Sequence, residues 1–133
     1  MSFSDFEIKE RVGKGAYSKV YLVRRLKDGC EYALKKVNIA KLQEKEIENA
    51  LNEIRILASI NHPNIVEYKE AFLEQDAQFL CIVMDYSDNG DLYEKIVQNK
   101  KSKTFFREED IWRIFIQVVK GLNKLHSNIS IGI

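Results

Sequence analysis

Between Val12 and Val20 the chain reads Val12-Gly13-Lys14-Gly15-Ala16-Tyr17-Ser18-Lys19-Val20, two glycines one residue apart between two strand-like runs. Phe6, Ile8, Glu10 and Val12 alternate on the way in, and Val20-Tyr21-Leu22-Val23 is β-rich on the way out. Few folds accept that order: it predicts a strand, a tight glycine loop and a returning strand. Gly13 and Gly15 remove Cβ atoms where backbone N–H groups would approach an anion. Lys35, in Tyr32-Ala33-Leu34-Lys35, would add a fixed positive charge from the next strand. The glycines alone suit an ordinary turn equally well. The lysine at strand spacing shifts the reading toward a loop lying over phosphates.

The period then changes along the chain. Lys27-Asp28-Gly29 reads as a hairpin turn, and 31–39 as a third strand that completes an antiparallel meander. From Glu44 to Ile60 the apolar residues Ile47, Ala50, Leu51, Ile54, Leu57 and Ala58 repeat at three and four, which predicts an amphipathic helix. Pro63 disfavours helical backbone at His62 and ends it. Ile65–Phe72 and Phe79–Met84 read as two more strands around a polar turn at Glu74-Gln75-Asp76. A short helix over Asp91–Gln98 follows, then a lysine-rich loop over Asn99–Lys103. A last helix over Glu108–His126 carries Ile111, Ile114, Phe115, Val118, Leu122 and Leu125 on one face, with Glu108, Glu109 and Asp110 favouring its N-terminus. The expected fold class is α+β: a five-stranded antiparallel sheet with one inserted helix, followed by two helices.

Composition narrows the function classes. The 133 residues hold 21 Lys plus Arg against 20 Asp plus Glu, a net charge of +1, which gives no support for nucleic-acid or anionic-membrane binding. Hydrophobic content of 45% is enough to build a core. No apolar run is long enough to span a bilayer, and the first residues lack a signal-peptide pattern, so a cytoplasmic protein is expected. Cys30 and Cys81 match no metal or redox spacing; Cys81 reads as core and Cys30 as a plain thiol.

Glu53 makes the loop hypothesis specific. It lies on the shoulder of the apolar stripe, three residues after Ala50 and four before Leu57. A carboxylate turned partly toward a core is costly unless paired, and Lys35 on the preceding strand is its natural partner. Isolated, the same glutamate would be read as a solvated helix residue, as Glu44, Glu46 and Glu48 are.

These residues resemble the N-terminal lobe of a eukaryotic protein kinase. The kinase set asks for G-x-G-x-x-G-x-V, then a strand lysine paired to a helix glutamate; here these are Gly13 to Val20, Lys35 and Glu53. Asn52-Glu53-Ile54-Arg55-Ile56-Leu57, His62-Pro63-Asn64-Ile65-Val66, Ile82-Val83-Met84-Asp85-Tyr86 and Gly90-Asp91-Leu92 extend the similarity, which is greatest to the NIMA-related serine/threonine kinases. The resemblance runs from Phe6 to His126. It implies a partial kinase domain over 1–133: an N-lobe at about 5–86, a hinge at 87–90, the start of a C-lobe at 91–126 and an atypical tail at 127–133.

The resemblance also implies roles. The loop residues Gly13, Lys14, Gly15, Ala16, Tyr17, Ser18 and Lys19 would cover the phosphates of ATP, with Tyr17 at the tip. Lys35 would contact the α- and β-phosphates and Glu53 would orient it. Val12, Val20 and Ala33 would sandwich the adenine and Met84 would close the rear. The main chain of Asp85 and Ser87 would bond the adenine edge, and Asp91 would lie near the ribose. Val12, Val20, Ala33 and Met84 would be core in any small β domain, so their roles rest on the family alone.

The chain departs from the family pattern in three places. Ser18 stands where the third glycine would be. Arg107 is a poor helix cap where serine or proline is usual. The family's spacing would put the catalytic-loop His-Arg near Gly132-Ile133 and the catalytic Asp beyond them. The expectation is therefore an ATP-binding half-site with no catalytic base and no metal ligands of its own, incapable of phosphoryl transfer alone. A complete relative would use Mg-ATP and phosphorylate a protein substrate. Two alternatives stand beside this: a non-catalytic kinase-lobe module that binds nucleotide or a partner protein, and an unrelated β-rich binding domain. The last helix, without a larger lobe to cover its apolar face, is expected to self-associate, to dock on a partner or to dock against the small lobe.

Overall fold

The computed structural model describes residues 1–130. They divide into two compact units: Met1–Asn61 with Val66–Tyr86, and His62–Ile65 with Ser87–Ile133, of which 131–133 lie outside the described residues.

The first unit is an antiparallel sheet. β1 (Phe6–Lys14), β2 (Ser18–Arg25) and β3 (Glu31–Asn38) form the expected meander. β4 (Tyr68–Glu74) and β5 (Phe79–Met84) form a hairpin that joins through β5, giving the order β1-β2-β3-β5-β4. The alternation of side chains gives this sheet two distinct faces. Phe6, Val23, Leu34, Cys81 and Val83 build a core on one, with Phe3, Tyr21, Tyr32 and Phe72 against it. Val37, Leu80 and Ile82 build the other, under Ile54 of helix α1 (Glu44–Ala58), with Ala71 and Met84 alongside. Burying each of these larger apolar side chains contributes about 1.5–3 kcal/mol. Helix α1 begins where the Gln43 N–H donates to Glu46 Oε2 at 2.8 Å. A carboxylate in that place satisfies one of the orphan donors of a first turn.

Two local features brace the sheet. Arg25 spans Asp28 (2.9 Å) and Glu70 (2.7 Å) while its guanidinium lies over the Tyr32 ring at 4.5 Å. The planar fork aims a separate nitrogen at each carboxylate, Nη1 at Asp28 and Nη2 at Glu70. The β4–β5 turn passes through Gln75, Asp76 and Ala77 with φ of 50°, 55° and 64°, three consecutive left-handed residues without a glycine. The sequence marks the turn by polarity but gives no sign of that backbone.

The second unit holds α2 (Leu92–Ser102) and α3 (Glu108–Ser130). Gly121 of α3 is buried, and a Cβ there would sit 3.1 Å from the Asn64 carbonyl, so only glycine admits the 62–65 segment so closely. Leu92, Ile96, Phe106, Ile111, Ile114, Phe115 and Val118 line an open apolar groove of about 330 Å³. Ile111, Phe115, Val118 and Leu122 are exposed, as are Trp112, Ile116 and Val119, which the predicted stripe omits.

Several boundaries differ from expectation. The lysine-rich segment predicted as a loop is mostly helix: α2 continues through Ser102 and stops at Lys103, whose φ is 53°. Lysines near a helix C-terminus are favoured by its dipole, so their polarity is no argument for a loop. β4 starts at Tyr68 rather than Ile65, because the Ile65 N–H donates to the His62 carbonyl in a turn. α3 runs to Ser130, past the end of its apolar stripe, so residues 127–130 of the expected tail are helical. The expected catalytic-loop position at Gly132-Ile133 lies outside the described residues. Arg107 stands before the first turn of α3, as expected, and only its carbonyl takes part, accepting from the Asp110 and Ile111 N–H groups.

Candidate functional site

The glycine segment is the tip of the β1–β2 hairpin. Gly13 pairs with Val20 and Lys14 with Lys19, after a bulge that sets Val12 out of register. The Gly15 N–H donates to the Ser18 carbonyl at 2.7 Å and closes the tip. A Cβ on Gly15 would lie 2.8 Å from Ser18 Oγ, a distance that ordinary contacts do not reach. Ser18, in the place of the third glycine, thus takes up the room that Gly15 leaves free. Gly13 is less constrained, with Val20 Cβ at an ordinary 3.5 Å from its would-be Cβ. Ala16 and Tyr17 form the exposed turn, held by the Asn38 N–H donating to the Tyr17 carbonyl at 2.9 Å.

The strand register assembles a surface beside this tip. Val20 lies opposite Lys35, Leu22 opposite Ala33, and Ala33 opposite Met84. Cross-strand partners share a face, so Val20, Leu22, Ala33, Lys35 and Met84 form one patch. Ala33 is buried, the other four are half-buried, and Val12 is exposed. Leu22 belongs to this patch and was missed from sequence. Its position two residues after Val20 was the available signal.

Lys35 and Glu53 come together. Lys35 Nζ lies 3.4 Å from Glu53 Oε1, linking β3 to α1. The side chains are 27% and 53% exposed, which corrects the expectation that Glu53 turns toward the core. The glutamate is on the solvent side of the helix shoulder, and Ile54 beside it is the residue that packs inward. Burial cost therefore does not force this pairing. It is a solvated ion pair that holds the lysine's direction over the patch.

The edge of the patch is pinned by a residue that the sequence reading did not single out. Lys69 binds Glu67 at 2.8 Å and Asp85 at 3.4 Å. The Glu67 hydrogen bond, with Asp85 nearby, raises the Lys69 pKa despite partial burial. The Asp85 N–H donates to the Glu67 carbonyl at 3.0 Å, so the carbonyl is the main-chain group left for a ligand at that residue. A lysine alternating with carboxylates in Glu67-Tyr68-Lys69 was the only sequence sign.

Ser87 and Asp91 belong to the second unit. Asp91 caps α2, its Oδ1 accepting from the Glu94 N–H at 2.7 Å, so this carboxylate has a structural task whatever else it does. Gly90 before it has φ of 68°, a backbone that favours glycine.

Comparison with known proteins gives this geometry its context. Residues 6–131 match the protein kinase domain family. The chain is 38% identical over 117 residues to the mouse serine/threonine-protein kinase Nek1, covering 88% of this chain and 9% of that protein. It is 35% identical over 123 residues to the rice serine/threonine-protein kinase Nek6, covering 92% and 22%. It is 33% identical over 121 residues to the G2-specific protein kinase fin1 of Schizosaccharomyces pombe, covering 91% and 17%. The chain thus spans less than a third of the length of each of these relatives. A glycine hairpin, a strand lysine held by a helix glutamate and a match across almost every residue lead to one conclusion: the chain belongs to the protein kinase domain family, and its relatives are serine/threonine kinases of the NIMA-related type.

Proposed function

We propose that the patch on β2, β3 and β5, with the glycine hairpin beside it, binds ATP as part of a serine/threonine protein kinase. One observation carries this reading: Lys35 Nζ stands 3.4 Å from Glu53 Oε1 on the same sheet face as Val20, Leu22, Ala33 and Met84. That juxtaposition suits a ligand with a flat apolar end and an anionic end. The adenine would lie on Val12, Val20, Ala33 and Met84, bonded at its edge by the main chain of Asp85. The phosphates would lie under 13–18 near Lys35. Of the two glycines, Gly13 leaves the backbone free for a close approach, while Gly15 spends its N–H and the room beside it on Ser18.

Bound Mg-ATP would supply the phosphoryl group for a serine or threonine of a protein substrate, the activity that the names of the relatives carry. The 133 residues contain no His-Arg-Asp and no Asp-Phe-Gly segment. Phosphoryl transfer needs the base and the metal ligands of those segments, so these residues alone bind nucleotide weakly, without need of metal, and do not turn it over. The protein acts in the cytoplasm on this reading, and the exposed apolar face of α3 is covered by protein, in isolation by another copy of the chain. Calorimetry with ATP, with and without Mg²⁺, tests the site. A measurable isotherm insensitive to Mg²⁺, with no labelled phosphate transferred to a general protein acceptor, is expected. Absence of binding at millimolar ATP, or metal-dependent transfer by the purified chain, would overturn it.

A further inference from the structure

The opposite face of the sheet carries a concave site of about 300 Å³ beneath the other side of the glycine hairpin. Lys14, Lys19, Lys36 and Lys41 line it with no acidic residue among its walls. Among the described residues none of these four ammonium groups forms an ion pair, whereas Lys9, Lys35 and Lys69 all do. The register separates this site from the nucleotide face: Lys36 and Asn38 alternate with Lys35 along β3 and point the other way.

The walls are not solely cationic. Tyr17, Tyr21 and Phe79 supply apolar surface, and Lys36 Nζ is fixed 4.4 Å from the centre of the Phe79 ring and 4.5 Å from that of Phe3. Asn38 Oδ1, on the same wall, is buried and has no hydrogen-bond partner among the described residues. Such an atom costs free energy until a donor reaches it. Four unpaired cations ask for a multiply charged anion, the orphaned carbonyl asks for an N–H, and the rings ask for an apolar neighbour. Inorganic phosphate meets only the first of these. A volume at the low end of ligand pockets has room for one phosphorylated side chain and a flanking residue, not for an extended polyanion.

We propose that this pocket docks a phosphorylated serine or threonine of a peptide segment, its phosphate among the lysines and a peptide N–H on Asn38 Oδ1. A phosphate brings nearly two charges and three acceptor oxygens, which a carboxylate cannot match against several lysines. The Asn38 N–H also holds the Tyr17 carbonyl at 2.9 Å, so an occupant that orders Asn38 orders the tip of the glycine hairpin with it.

Fluorescence anisotropy with a labelled peptide pool, fixed central phosphoserine and randomised flanks, against the same pool carrying serine, tests the proposal on the 133-residue chain. The phosphorylated pool should bind about tenfold or more tightly, the worth of one or two charge-assisted bonds. Lys41→Glu, an exposed change that leaves the fold alone, should abolish the difference, while Lys35→Ala on the other face should preserve it. Equal binding of the two pools, an unchanged preference in Lys41→Glu, or displacement as effective by a DNA oligonucleotide or by inorganic phosphate as by the unlabelled phosphopeptide would each overturn it. Because Lys35→Ala disables only the nucleotide face, failure here is distinguishable from failure of the ATP reading.

Discussion

Replacing Glu53 by Gln removes the charge that holds Lys35 and keeps the shape of the side chain. The structure makes its cost to stability small. At 3.4 Å the Nζ–Oε1 separation exceeds that of a short charge-assisted bond, and the glutamate is 53% exposed. Solvent-exposed pairs of this kind contribute about 0–1 kcal/mol. For a chain of 133 residues the unfolding entropy near the midpoint is about 280 cal/mol/K, so 1 kcal/mol corresponds to about 4 °C. Glu53→Gln should therefore lower the melting temperature by less than about 4 °C at 0.15 M salt, followed by circular dichroism. In 1 M salt, where screening acts over about 3 Å, the difference from wild type should shrink further. ATP affinity should fall all the same, since the lysine loses its tether. A loss above about 2 kcal/mol that persists in 1 M salt would refute this reasoning, because it is the signature of a buried charge left unpaired.

Three further outcomes follow from burial and exposure. Cys30 should react with a thiol reagent at once, whereas Cys81, buried in the core on one face of the sheet with its thiol pKa pushed up to about 11 by burial, should react only on unfolding. Because that folded value lies above the unfolded one of 9.0, the Cys81 contribution to stability is whole below pH 9 and lost as pH rises toward 11; urea midpoints at pH 8 and 10.5 should differ less in Cys81→Val than in wild type. Ile111, Phe115, Val118 and Leu122 on α3 are exposed, and sedimentation of the isolated chain should show concentration-dependent self-association that Phe115→Asp with Leu122→Lys reduces. A monomer at every concentration would contradict the last of these.

What the sequence made legible was whatever its periods encode. Alternation from Phe6 to Asn38 and the three-four repeat of α1 gave the meander and the inserted helix with the correct order and nearly the correct ends. The pairing of Lys35 with Glu53 is legible from motif spacing, but burial of the carboxylate is not its cause. Helical periodicity placed Glu53 on a shoulder, and a shoulder does not say which side is wet; Ile54 took the inward place. The β5–β3 pairing that completes the patch, and Leu22 within it, depend on contacts between residues far apart in sequence. Lys69 and its hold on Asp85 belong to the same class. The helical state of Asn99–Ser102 is not legible from composition, since a polar run suits a loop equally well, and backbone propensity and the helix dipole decide for helix. The lysine pocket is not legible for a simple reason: Lys14, Lys19, Lys36 and Lys41 lie on β1, β2, β3 and the segment after β3, and meet only in the folded sheet.

The claim at the centre of this account is that Lys35 faces the anionic end of a nucleotide on the β2–β3–β5 patch. Calorimetry of ATP and of adenosine on wild-type chain and on Lys35→Ala isolates it, since adenosine carries the ring but no phosphate. The account predicts that Lys35→Ala weakens ATP by about tenfold or more, the worth of one charge-assisted contact, and leaves adenosine unchanged. Equal ATP affinity in the two proteins would contradict it.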